Sequence, residues 1–196
     1  MGKAADTRMS ILQKAFELIY INGYQITSID DIIAQTKVTK GAFYYHFKNK
    51  DEMGLAVIAE VMMPVMKETL VQPLESSADP VRDIYAMMRY LLLEHPLMNA
   101  RYGCPAGNLI QEMSPLNAAF SEALALITRS WQDAVQKSIR NGKKAGNVGA
   151  AANGLQVAAF VIAGYWGVRT LGKLSGDSSC YYTYLKELKR YLEALR

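Results

Sequence analysis

With 196 residues, 51% of them apolar, the chain can bury a proper core, as one large or two small domains. Two cysteines, Cys104 and Cys180, are too few for a disulfide framework, and the net charge of +4 is modest. The longest apolar stretch, Leu155 to Val168, contains Gln156 and is too short to span a bilayer; the polar N-terminus leads us to expect no signal peptide, and the expected setting is a reducing cytoplasm with no membrane partner.

Helix is expected from about Asp6. Ser28 followed by Asp31 marks a second helix start of the capping-box type, with the carboxylate in place of the usual Glu. Ile29, Ile32 and Ile33 give that short helix one apolar face, and the pattern breaks at Thr36-Lys37-Val38. Thr39 caps a third helix, in which Gly41 and Ala42 leave the backbone open to close approach by a phosphate or base edge. Lys40, Tyr44, Tyr45 and His46 should project outward, while Phe43 and Phe47, four apart, anchor the other side in the core. This is how a helix-turn-helix presents a recognition helix, buried on one face and polar on the other.

Beyond residue 50 no segment alternates with period two, so the whole chain reads as all-α. A helix from about Asn49 to Val71 should be bent at Pro64 and end before Gln72-Pro73. Asp79-Pro80 opens the next, which ends near Glu94-His95-Pro96. Arg101 to Pro105 reads as a loop and Ala106 to Met113 as a short helix. A long helix from about Asn117 should stop at Asn141-Gly142, and the glycine-rich stretch to Gly154 reads as a mobile linker. Two last helices follow, near Leu155–Lys173 and Tyr181–Leu195. In the last, Tyr181, Leu185, Leu188, Leu192 and Leu195 recur at spacings of four and three, a seam that suits its own core or another helix.

Residues 7–54 resemble the DNA-binding domain of TetR/AcrR-type transcriptional regulators. The resemblance rests on an apolar first-helix stripe (Ile11, Leu12, Ala15, Phe16, Leu18, Ile19), the turn Asn22-Gly23-Tyr24 and the segment Thr27 to Ala34 with one extra Ile. It continues through Val38 to Phe47, which matches the recognition-helix pattern at every fixed position, and Lys48-Asn-Lys-Asp-Glu-Met53. The resemblance implies an N-terminal three-helix domain, residues 1–50, joined by a long helix to a helical ligand-binding and dimerisation domain, residues 51–196. It also implies a homodimer through the last two helices of each subunit. Tyr102-Gly-Cys-Pro-Ala-Gly-Asn-Leu109 is similar to a Gly-Cys-Pro/Leu-x-Gly-Asn-Leu motif of one subset of these regulators, with Ala106 where a larger aliphatic residue is commoner.

Charge is placed accordingly: residues 1–50 hold seven Lys/Arg against four Asp/Glu, and the rest hold fifteen against fourteen. A positive excess beside a helix-turn-helix suits double-stranded DNA. Thr27 and Lys50 are the expected phosphate contacts, with Ser28 beside them. Thr39, Lys40, Gly41 and Ala42 lie where base edges are reached: Lys40 suits guanine O6/N7, and the Ala42 methyl suits thymine. Tyr44, Tyr45 and His46 offer donors to the backbone, although Tyr44 and His46 also suit packing.

The partner sensed by the C-terminal domain is expected to be a small apolar, aromatic or electrophilic molecule. Met88, Tyr102, Trp131, Phe160, Tyr165 and Trp166 suit either core or cavity, and Arg169 is a polar handle. Cys104, at a helix start, has two readings: a small buried hydrophobe, or a thiolate poised for electrophiles and oxidants, with Lys173 or Arg169 assisting. No metal spacing, P-loop, nucleophile elbow or dinucleotide fingerprint occurs, so neither a cofactor nor an enzyme is expected. The competing readings are an enzyme, a DNA binder without a ligand, and an activator in place of a repressor.

Overall fold

Capped helices make up the chain. A computed structural model describes residues 3–196, and among these there is no strand. The first helices are α1 (Lys3–Asn22), α2 (Ile29–Ala34) and α3 (Lys40–His46). The capping box forms at α2: the Ser28 hydroxyl accepts from the Asp31 N–H at 3.1 Å, and the Asp31 carboxylate accepts from the Ser28 N–H at 2.8 Å. Hydrogen bonds donated to the carboxylate favour its ionised form, so Ser28 holds the Asp31 pKa below its usual value.

Residues 50–75 form one unbroken helical run, α4, where a stop before Pro73 is expected. The prolines explain its form. A proline ring collides with the carbonyl four residues back, and a π-turn, with its wider ring, opens that gap. One π-turn, Val57–Met62, precedes Pro64 by two residues, and another, Lys67–Val71, precedes Pro73 by two. The remaining helices are α5 (Pro80–Leu93), α6 (Pro105–Met113), α7 (Ala118–Lys144), α8 (Gly154–Ser175) and α9 (Ser179–Glu193). A 3-10 turn, Ala100–Tyr102, and Gly103 at φ +72° occupy the expected loop before α6.

The helices gather into two compact units. One comprises residues up to Val65 with Pro105–Leu126; the other comprises Met66–Cys104 with Ile127–Arg196. The first is built on Ile11, Leu12, Ile32, Phe43, Phe47 and Met53, all at most 1% exposed. In the second, α9 packs on α5 and α8. The leucine seam of α9 therefore faces its own core: Tyr181, Leu185, Leu188 and Leu192 are all buried.

Two glycine readings are corrected. Gly142 does not end α7; it lies inside the helix, and glycine is needed there because a side chain would meet Pro80 at 2.5 Å and Val148 at 2.8 Å. The left-handed turn falls at Gly146, φ +76°. Nor is the stretch that follows loosely held. Asn147 donates to the Ala78 carbonyl at 3.1 Å, Lys143 to that of Ala150 at 2.7 Å, and the Gly149 N–H to that of Leu195 at 2.7 Å.

Gly54 on α4 is set by close approach as well: a Cβ there would lie 2.7 Å from the rings of both Phe120 and Tyr24. Gly54→Ala is expected to destabilise the protein by about 1–3 kcal/mol through overpacking. Urea unfolding with an unchanged midpoint would contradict this packing.

Candidate nucleic-acid interface

The recognition helix α3 is held from below and left open above. Phe43 and Phe47 are 0% and 1% exposed, with ring centroids 5.6 Å apart. Arg8 of α1 lies over the Phe47 ring at 4.4 Å, donates to the His46 carbonyl at 3.1 Å and pairs with Glu60 on α4. One guanidinium thus ties the end of α3 to α1 and α4. At the other end the Thr39 hydroxyl accepts from the Ala42 N–H at 3.2 Å.

The upper face carries Lys40, Gly41, Tyr44 and Tyr45, all exposed, with Tyr45 at 79%. Ala42 is half-buried beside them. Tyr44 shows both of its readings, its ring edge-on to Phe43 at 5.4 Å while 48% exposed. His46 is half-buried, its ring against Tyr45 at 5.0 Å. Lys40 pairs with Asp30 of α2 at 2.9 Å, which raises the ammonium pKa. Both partners are exposed, so the pair is weak and open to exchange with a DNA acceptor.

Thr27 departs from expectation. It is 2% exposed, and its hydroxyl donates to the Gly23 carbonyl at 2.7 Å. As a phosphate contact its side chain is turned the wrong way; it locks the turn before α2. Ser28 is exposed, with its hydroxyl bonded to Asp31 at 2.6 Å. Lys50 is half-buried, lies over the Tyr24 ring at 4.4 Å and donates to the Gln25 carbonyl at 3.1 Å. Burial lowers its pKa, against the pull of Asp51, Glu112 and Asp31.

Below this edge lies a knot that the sequence gives no means of finding. The Tyr24 hydroxyl donates to Asp51 at 2.5 Å, and burial and that carboxylate push the phenol well above its ordinary range. Glu112 of α6 accepts the Tyr24 and Gln25 N–H groups at 2.9 and 2.7 Å. The partners lie 88 and 87 residues apart, and no local pattern marks such a pair.

The candidate ligand residues of the second unit divide. Met88, Trp131, Tyr165, Arg169 and Cys104 are buried; Tyr102 and Trp166 are half-buried. Trp131 and Tyr165 meet edge to face at 5.4 Å, and Arg169 donates to the carbonyls of Asn99, at 3.1 Å, and Gly103. Phe160 is the exception: 47% exposed, it lies on the outer face of α8 against the Tyr191 ring, centroids 4.0 Å apart, and not in an interior. No helix among the described residues is long and apolar enough to cross a membrane.

Two short capped helices, the second buried on one face and polar on the other, have the arrangement of a helix-turn-helix, and the comparisons agree. Residues 11–57 match bacterial regulatory proteins of the tetR family, and residues 81–188 match the tetracyclin repressor-like C-terminal domain. An HTH-type transcriptional regulator encoded in the lacX 3′ region of Lactococcus lactis is 34% identical over 68% of each chain. The HTH-type transcriptional repressor DhaR of a Mycobacterium species is 30% identical over 72% of this chain and 69% of its own. Among solved structures, a regulatory protein TetR from Rhodobacter sphaeroides superposes with a TM-score of 0.82 at 26% identity, covering 93% of this chain and 97% of that one. The chain belongs to the TetR family of transcriptional regulators.

Gly41 offers a test of the interface. An added Cβ there meets nothing within 4 Å, so nothing inside the protein requires glycine at this helical position. Gly41→Ala should therefore raise stability by about 0.5–1 kcal/mol. It should also weaken DNA binding about tenfold, equivalent to about 1.4 kcal/mol, because the methyl holds the DNA off the helix. Thermal melts and binding titrations on the same preparation check both; an unchanged affinity would move the DNA away from α3.

Proposed function

We propose that the protein is a homodimeric repressor that reads a palindromic operator and releases it when a small apolar, aromatic or electrophilic molecule binds. DNA reading is assigned to residues 1–50, and ligand binding and dimerisation to residues 51–196. The observation that carries the proposal is α3, whose buried Phe43–Phe47 face fixes a row of exposed donors: Lys40, Tyr44 and Tyr45.

The outer face of α8 supports a dimer. Phe160, Ala163, Gly167, Leu171 and Leu174 lie along it at spacings of three and four, all exposed, and a Cβ on Gly167 would meet nothing within 4 Å. An apolar stripe with small residues at its middle suits a second copy of the same helix about a two-fold axis. The leucine seam of α9 is already covered within the subunit and gives α8 its footing.

For the ligand, Trp131 Nε1 is a buried donor without a hydrogen-bond partner among the described residues. Such a donor favours a ligand that combines an aromatic or apolar body with an acceptor. Cys104, 4% exposed and next to the carbonyl held by Arg169, is the candidate for an electrophile that reaches the interior. The segment Tyr102–Leu109 supports placing the chain in a Gly-Cys-Pro-x-Gly-Asn-Leu subset of the family. Release follows if ligand binding moves α4 and changes the separation of two recognition helices whose spacing DNA fixes, a coupling of about 1–3 kcal/mol.

Selection of random duplex DNA with the purified protein tests this reading. The expected product is a two-fold symmetric site with half-sites on successive major grooves, bound with an affinity that falls steeply as salt rises. Recovery of only sequence-indifferent duplexes would contradict it.

A further inference from the structure

The turn between α1 and α2 is built around an anion. Gly23, at φ +97°, turns the next two backbone N–H groups, those of Tyr24 and Gln25, to one side. Successive N–H groups presented in this way form a nest that binds a negative charge. The charge is the Glu112 carboxylate, which accepts Tyr24 N–H with one oxygen and Gln25 N–H with the other, at 2.9 and 2.7 Å. Two parallel charge-assisted bonds fix direction as well as position. The carboxylate comes from far along the chain, on α6.

The same turn carries the edge assigned above to phosphate. Gln25, whose N–H Glu112 holds, uses its carbonyl to accept from Lys50 at 3.1 Å. Tyr24, the other residue held, lies under the Lys50 ammonium at 4.4 Å and is bonded to Asp51 at its hydroxyl. Asn117, in the turn leading into α7, donates to the other Asp51 oxygen at 3.2 Å. Two residues beyond Gln25 the chain enters the Thr27 lock and the Ser28 cap of α2. Thus one carboxylate of α6 sets the two residues on which the Lys50 ammonium rests.

We propose that Glu112 is a positioning residue for DNA binding: it holds the Gly23–Gln25 turn so that Lys50 faces the phosphate backbone. The inference rests on the DNA-binding reading and deepens it, since it makes α6, a helix outside the helix-turn-helix segment, part of the DNA-binding device. Glu112 touches no DNA itself.

A double-mutant cycle distinguishes positioning from bulk stability. Glu112→Ala, Lys50→Ala and the double variant would be titrated against the duplex selected with the wild-type protein, at several salt concentrations. Glu112→Ala is expected to bind about tenfold more weakly, equivalent to about 1.4 kcal/mol. The slope of log affinity against log salt should flatten by about 0.9 for each phosphate that is no longer neutralised, as for Lys50→Ala. The double variant should bind about as well as Lys50→Ala alone. Glu112→Gln, which keeps one acceptor oxygen, should fall between, and it carries the cycle if the alanine variant melts early. Wild-type affinity and salt slope in a folded Glu112 variant would overturn the proposal, as would losses that multiply in the double variant. Failure of the wild-type protein to select any duplex would overturn the DNA-binding reading itself, and this inference with it.

Discussion

A seven-residue helix does not persist in water by itself, because nucleation costs more than so few backbone bonds return. The placement of α3 is therefore imposed from outside, and the packing of Phe43 and Phe47 under Arg8 imposes it. Both rings are shut away from solvent, and the guanidinium above Phe47 also closes the last turn of α3 and reaches Glu60. With its lower side fixed, every side chain on the upper side acquires a defined direction. Sequence-specific reading needs that rigidity, since base-edge hydrogen bonds tolerate little error in donor position.

The second fixed element is the knot around Tyr24. A buried phenol donating to a carboxylate, a lysine above its ring and a glutamate from α6 on its backbone make the turn before α2 rigid. Gly54 is bare because Tyr24 and Phe120 occupy the space beside it. Polar groups this interlocked are held only when nearly all are satisfied together. Consequently the edge proposed to face DNA is built by residues from the turn after α1, from α4 and α6, and from the start of α7.

Local chemistry was readable in the sequence. The Ser28–Asp31 box, the Thr39 cap and the Phe43–Phe47 anchor each depend on residues three or four apart, and each forms as expected. Long-range partners were not readable: neither Arg8 over Phe47 nor Glu112 on the Gly23 turn leaves a periodic trace. Glycine and proline misled where tertiary packing outweighed their usual tendencies. Gly142 stands within α7 because Pro80 leaves no room for a side chain, not to end the helix, and Pro73 is carried within α4 by the π-turn before it. Thr27 was expected at a phosphate, from the turn before α2, yet its hydroxyl donates to the Gly23 carbonyl. Phe160 was placed inside because aromatic residues usually are; its exposure on α8 belongs instead to the apolar stripe that faces outward.

That stripe links the fold to the proposed reading of a two-fold site, because one α3 of seven residues reads only half of a palindrome. Leu171, 56% exposed within it, can be changed without disturbing the subunit's own core. The most direct measurement is sedimentation of Leu171→Glu beside the wild-type protein, with both then titrated against the selected duplex. The account predicts a wild-type dimer, a folded monomeric variant, and a loss of affinity for the full site of at least about a hundredfold, equivalent to about 2.7 kcal/mol. A monomeric variant that bound the full site as tightly as wild type would contradict it, as would a wild-type protein that sediments as a monomer on its DNA.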